Sequence, residues 1–131
     1  MKALIIDDNV FKQSDIEKVL RSTIKWDIID CERNLEYGLD CIEESIECGQ
    51  PYDLIVTDMW YPERKGGDEF ASGEKLIQIA VERKWDIPII LCSSINYHFS
   101  EILGAVHYSE NDNWEEKMRQ LVEKCCDFEA K

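Results

Sequence analysis

Three unbroken apolar runs punctuate the chain: ALIID at 3–7, YDLIVT at 52–57 and IPIILC at 87–92. Runs without polar alternation suit strands buried on both faces, as in a parallel sheet covered by helices. WDIID at 26–30 predicts a weaker strand, and GAVHY at 104–108 a short fifth. Pro88 stands at the start of its run, where a strand tolerates proline. Between the runs the period lengthens. Phe11, Ile16, Val19 and Leu20 fall mainly on one face of a helix over 10–22, and Leu35, Leu39, Ile42 and Ile46 recur at helical spacing over 34–47. Residues 73–84 group Leu76, Ile77, Ala80 and Val81; residues 114–126 group Trp114, Met118, Leu121, Val122 and Cys125. Residues 95–103 have room for one short helix. Strand and helix thus alternate five times, which predicts an α/β fold with crossover helices around a doubly wound, five-stranded parallel sheet.

No linker, repeat or low-complexity tract divides the 131 residues, so a single domain spanning 1–131 is expected. The chain ends soon after its last helical pattern, which argues against an appended output domain. A net charge of −13 disfavours nucleic-acid and anionic-membrane partners and suits a divalent cation or a basic protein surface. No run approaches the roughly 18 apolar residues of a membrane span. The N-terminus meets acid too early for a signal peptide, so the expected location is the cytoplasm. The six cysteines form no CxxC pair and the two histidines lie far from most of them. That argues against zinc and for reduced thiols.

Ligands of open α/β sheets collect at the carboxyl ends of the strands. Those ends carry Asp7 and Asp8, then Asp58, then Ser93 and Ser94, and finally His107 and Tyr108. Three carboxylates from two strands make an oxygen-rich cluster suited to Mg2+, which would also relieve the repulsion between Asp7 and Asp8. The plainer reading of the acidic pair is a helix cap, a role open to Asp8 or Asn9. For the pair alone the two readings stand level; Asp58 at a second strand end favours the metal.

These residues resemble the receiver domain of response regulators, the phosphoacceptor module of two-component signalling. The acidic pair Asp7–Asp8, YDLIVTDMWYP with Asp58 four residues before Pro62, IPIILCSS ending at Ser93, and GAV before the last helix follow the family order over nearly the whole chain. The resemblance implies a flavodoxin-like (βα)5 three-layer sandwich. It implies that Asp58 accepts a phosphoryl group from a sensor histidine kinase or phosphotransfer protein. Asp7, Asp8, Asp58 and the backbone carbonyl of Trp60 would ligate Mg2+, and Ser93 would hydrogen-bond the phosphoryl group.

The sequence departs from that pattern in three places. Tyr108 and Ser109 stand where the family carries lysine and proline, which leaves Tyr108 as a neutral substitute donor and His107 as the nearest titratable one. The long polar interval MWYPERKGGDEFAS, 59–72, looks like an insertion that delays the helix glycine to Gly73. Lys65 could fold back from it over Asp58, although a mobile, solvated loop is the plainer reading. Ala105 replaces the usual switch aromatic, with Tyr97 and Tyr108 nearby.

The leading expectation is a stand-alone receiver, monomeric or weakly dimeric and not an enzyme, signalling through the face of its fourth helix, fifth strand and fifth helix. The alternative is a phosphorylation-independent pseudo-receiver that binds proteins. A haloacid-dehalogenase-type phosphatase is disfavoured because the position for its second aspartate holds Trp60.

Overall fold

A computed structural model describes residues 1–127; the expected domain limit at Lys131 and the side chain of Cys126 lie outside what is described. In chain order the elements are β1 (Lys2–Ile6), α1 (Val10–Arg21), β2 (Ile28–Glu32), α2 (Leu35–Glu47), β3 (Leu54–Thr57), β4 (Tyr61–Pro62), β5 (Glu69–Phe70), α3 (Ser72–Glu82), β6 (Ile89–Ser93), β7 (Gly104–His107), a 3-10 turn (Glu110–Asp112) and α4 (Trp114–Asp127). Five strands form one parallel sheet in the order β2-β1-β3-β6-β7. That is the doubly wound order, with its switch point between β1 and β3.

Successive residues of a strand point to opposite faces, and the core divides accordingly. Ala3, Ile5, Val56, Ile90 and Val106 pack with Ile16 and Leu20 of α1 and Met118 and Val122 of α4. Leu4, Ile6, Ile55 and Ile89 pack with Leu35 and Ile42 of α2 and Leu76 and Ile77 of α3. The continuous apolar runs therefore fill both faces of one three-layer sandwich.

Four details differ from the pattern reading. β2 begins two residues later than expected, because Trp26 is buried with its indole N–H on the Leu20 carbonyl and Asp27 N–H bonds Met1 O. Phe11 is 82% exposed, and the inward positions of α1 are Lys12, Gln13, Ile16, Val19 and Leu20. Residues 95–103 contain no helix, so the fourth crossover is irregular and the expected output face lacks one of its helices. The segment, INYHFSEIL, is dominated by β-branched, aromatic and other residues of modest helix propensity and is too short to sustain a helix alone. The 59–72 interval forms a hairpin, although residues 64–70 remain exposed. β4 and β5 pair antiparallel, and Tyr61 is fully buried, sharing a 2.8 Å hydrogen bond with the Thr57 hydroxyl.

Among the described residues no helix is long and apolar enough to cross a membrane.

Candidate functional site

The β1 carboxyl end runs directly into α1, and Asn9 settles how. Its side chain accepts the backbone N–H groups of Phe11 and Lys12 at 3.0 and 3.2 Å, capping the helix. Neither aspartate is needed as that cap. Asp7, only 1% exposed, instead accepts Asn9 N–H at 3.0 Å through Oδ1. Asp8 lies beside it, partly exposed.

Asp58 extends β3 by one residue, and its N–H bonds the Ile6 carbonyl at 3.0 Å, which locks the two strand ends together. Its Oδ1 accepts Met59 N–H at 2.7 Å, while Oδ2 takes no hydrogen bond from any described residue. Gly73 brings the start of α3 against this strand end. A Cβ there would stand 2.2 Å from the Asp58 carbonyl oxygen, so the close approach requires glycine. The expected family-like glycine at 73 has this physical reason.

Asp7, Asp8 and Asp58 each offer an oxygen, and the three ligand atoms lie within 4.8 Å of one another. All donors are hard oxygens, and the buried Asp7 Oδ2 has the Lys12 ammonium 2.8 Å away. That set fits a small divalent cation such as Mg2+. Glu69, delivered by β5, joins the edge of the cluster: its hydrogen bond with Asp8, with burial second, pushes its carboxyl up to about 7.

The sequence reading missed Lys12. Its side chain is 6% exposed, and Nζ lies 2.8 Å from Asp7 Oδ2, 3.3 Å from Asp58 Oδ1 and 2.7 Å from the Cys92 carbonyl oxygen. Burial alone would lower the lysine's pKa, but the charges around it, Asp7 foremost, leave it raised and the ammonium charged. Burial raises Asp7 despite the opposing pull of Lys12. The signal was legible: position 12 precedes Ile16 and Val19 by one and two turns, so a lysine occupies a slot on the buried stripe.

Ser93 ends β6, 3% exposed, and its hydroxyl accepts Ile95 N–H at 3.3 Å. Tyr108 does not stand in for the expected lysine in this geometry. Its hydroxyl donates to Asp15 at 2.8 Å and its ring packs on Trp114, 4.8 Å between centroids. The strand end turns that side chain toward α1 and α4, away from Asp58. His107 points elsewhere again, bonding Asp112 through Nδ1 and the Ser94 carbonyl through Nε2 at 3.0 Å. Lys65 lines a groove with Asp8, Arg33 and Tyr37, and Trp60 bonds the Tyr97 hydroxyl at 2.7 Å.

Solved structures of similar architecture include response-regulator receiver domains. A two-component response regulator from Cytophaga hutchinsonii superposes with a TM-score of 0.72 at 17% identity, over 96% of each chain. The fold is that of the response-regulator receiver. The signal receiver domain of an HD domain-containing protein from Pseudomonas fluorescens Pf-5 gives 0.70 at 12% identity, over 97% of this chain and 94% of the other. The response regulator domain of Thermotoga maritima CheB gives 0.61 at 17%, over 97% and 94%. No protein-family model matches the sequence, and no curated protein matches it significantly.

Proposed function

We propose that this chain is a phosphoacceptor receiver that takes a phosphoryl group on Asp58 from a phosphohistidine of a sensor kinase or phosphotransfer protein, and that signals through protein contacts. The observation that carries the reading is Asp58 itself. It stands at a strand end with one carboxylate oxygen held by Met59 N–H and the other unbonded, beside two further aspartates. The unbonded Oδ2 attacks phosphorus, the P–N bond of the donor breaks, and its electron pair returns to the imidazole. The product is an acyl phosphate. Asp7, Asp8, Asp58 and the Trp60 carbonyl would hold Mg2+, which when bound neutralises charge on the phosphoryl oxygens. Ser93 offers a buried hydroxyl at the neighbouring strand end. The chain modifies itself and turns over no separate substrate, so in this reading it is not an enzyme.

A second reading, the phosphorylation-independent module, is favoured by Lys12. An internal ammonium already neutralises part of the cluster without a metal.

A Mg2+ titration by calorimetry, wild type against Asp8→Asn, tests the metal assignment. Weaker binding by the variant is expected; equal affinity contradicts the role of Asp8.

A further inference from the structure

The phosphoacceptor reading leaves the basic partner of the phosphoryl group without a residue, because Tyr108 stands where the strand end would supply it. We propose that Lys12, delivered from the first turns of α1, is the cationic donor to the phosphoryl group on Asp58, with the Tyr108 ring as its seat. The inference rests on the phosphoacceptor reading and assigns that site a further residue.

Lys12 reaches the site from the helix that follows β1, so the charge approaches from the β1 side of β3 and not from the β7 side. An ammonium has three protons, and Nζ has three acceptors: Asp7, Asp58 and the Cys92 carbonyl. The last of these lies at the end of β6, one residue before Ser93, so Lys12 bridges three strand ends. Beneath it lies the Tyr108 ring, 5.2 Å from Nζ to centroid, close enough for a cation–π contact. The ring is itself fixed, by Asp15 at the hydroxyl and Trp114 at the face. Tyr108 thus fills the vacated strand-end position and supports a lysine from elsewhere.

Other nearby cations are committed differently. Arg33 donates to the Asp8 carbonyl at 3.4 Å, Arg64 pairs with Glu36, and Lys75 pairs with Glu63. Among the described residues Lys12 is the cation in contact with Asp58. When phosphoryl oxygens arrive on Oδ2, they concentrate more negative charge than the carbonyl left at Oδ1. The ammonium then exchanges one carboxylate contact for them without leaving its slot.

The test uses the whole chain with Lys12→Met and Lys12→Arg. Beryllofluoride binding with Mg2+ is followed by fluorine NMR, and Mg2+ alone by calorimetry. Lys12→Met is expected to weaken beryllofluoride binding about ten-fold or more, the scale of a hydrogen bond to a charged group. The same variant is expected to bind Mg2+ alone more tightly, because a positive charge has left three carboxylates. Lys12→Arg should recover part of the beryllofluoride affinity. Tyr108→Phe should match wild type, since the ring remains, and Tyr108→Ala should not.

Unchanged beryllofluoride affinity in Lys12→Met overturns the assignment of Lys12 alone. So does parallel loss of both ligands, the mark of a damaged fold rather than a missing donor. If the wild type takes up no beryllofluoride, the phosphoacceptor reading fails and the assignment with it.

Discussion

Lys12 and Asp7 form an ion pair closed to solvent on both sides, with Nζ 2.8 Å from Oδ2 and side chains 6% and 1% exposed. Burying two charges is costly, and the pair holds because each partner satisfies the other. Removing one leaves an uncompensated charge, a loss of about 3–5 kcal/mol. Lys12→Met should therefore destabilise the protein by that order in urea unfolding. The double variant Lys12→Met with Asp7→Asn should recover a substantial part. Additive losses in the double variant contradict the pairing.

Gly73 and Gly66 need their glycines for different reasons, and alanine separates them. At Gly73 a Cβ meets backbone, 2.2 Å from the Asp58 carbonyl oxygen, and cannot be accommodated without moving α3. At Gly66 the space is open and only the φ of +79° resists. Gly66→Ala should cost about 1–2 kcal/mol, the left-handed penalty for an L-residue. Gly73→Ala should cost more and also shift the amide resonances of Asp58 and Met59. Equal costs with unmoved resonances would contradict the close approach.

The hairpin is anchored by Tyr61. Tyr61→Phe removes the hydroxyl shared with Thr57 and should cost about 1 kcal/mol. Tyr61→Ala empties a fully buried site and should cost about 3–5 kcal/mol. Amide exchange across 61–70 should accelerate sharply in the alanine variant and little in the phenylalanine one. A wild-type hairpin that exchanges as fast as a solvated loop contradicts this anchoring.

His107 provides a pH-dependent contact remote from the acidic cluster. Its bond to Asp112, and next the Ser94 carbonyl, raise its pKa above 6.5. Because the folded value is raised, its contribution to stability is complete below the unfolded value near 6.5. It fades as pH climbs through the folded value. Asp112→Asn should lower the His107 titration midpoint measured by NMR. An unchanged midpoint removes Asp112 as the cause.

Much of this was legible before the fold was known. The continuous runs at 3–7, 52–57 and 87–92 read as strands covered on both faces, and their carboxyl ends located Asp7, Asp8, Asp58 and Ser93. Gly73 was legible from its place after the polar interval. Lys12 was missed, although its place one and two turns before Ile16 and Val19 was there to read, because a charged residue on a helix is ordinarily assigned to the solvent face. Phe11, adjacent and apolar, took the inward place in that reading, and the chain reverses the two. The missing crossover helix and the built hairpin depend on tertiary partners: the Tyr97 bond to Trp60 and the burial of Tyr61 under Thr57 leave no periodicity to read.

The central claim is that Asp58 accepts a phosphoryl group. Incubation of the wild type and Asp58→Asn with Mg2+ and a small acyl-phosphate donor, followed by intact-mass spectrometry, tests it most directly. The account predicts that one phosphoryl group is added to the wild type and none to Asp58→Asn. An unmodified wild type, or equal modification of both proteins, would contradict it.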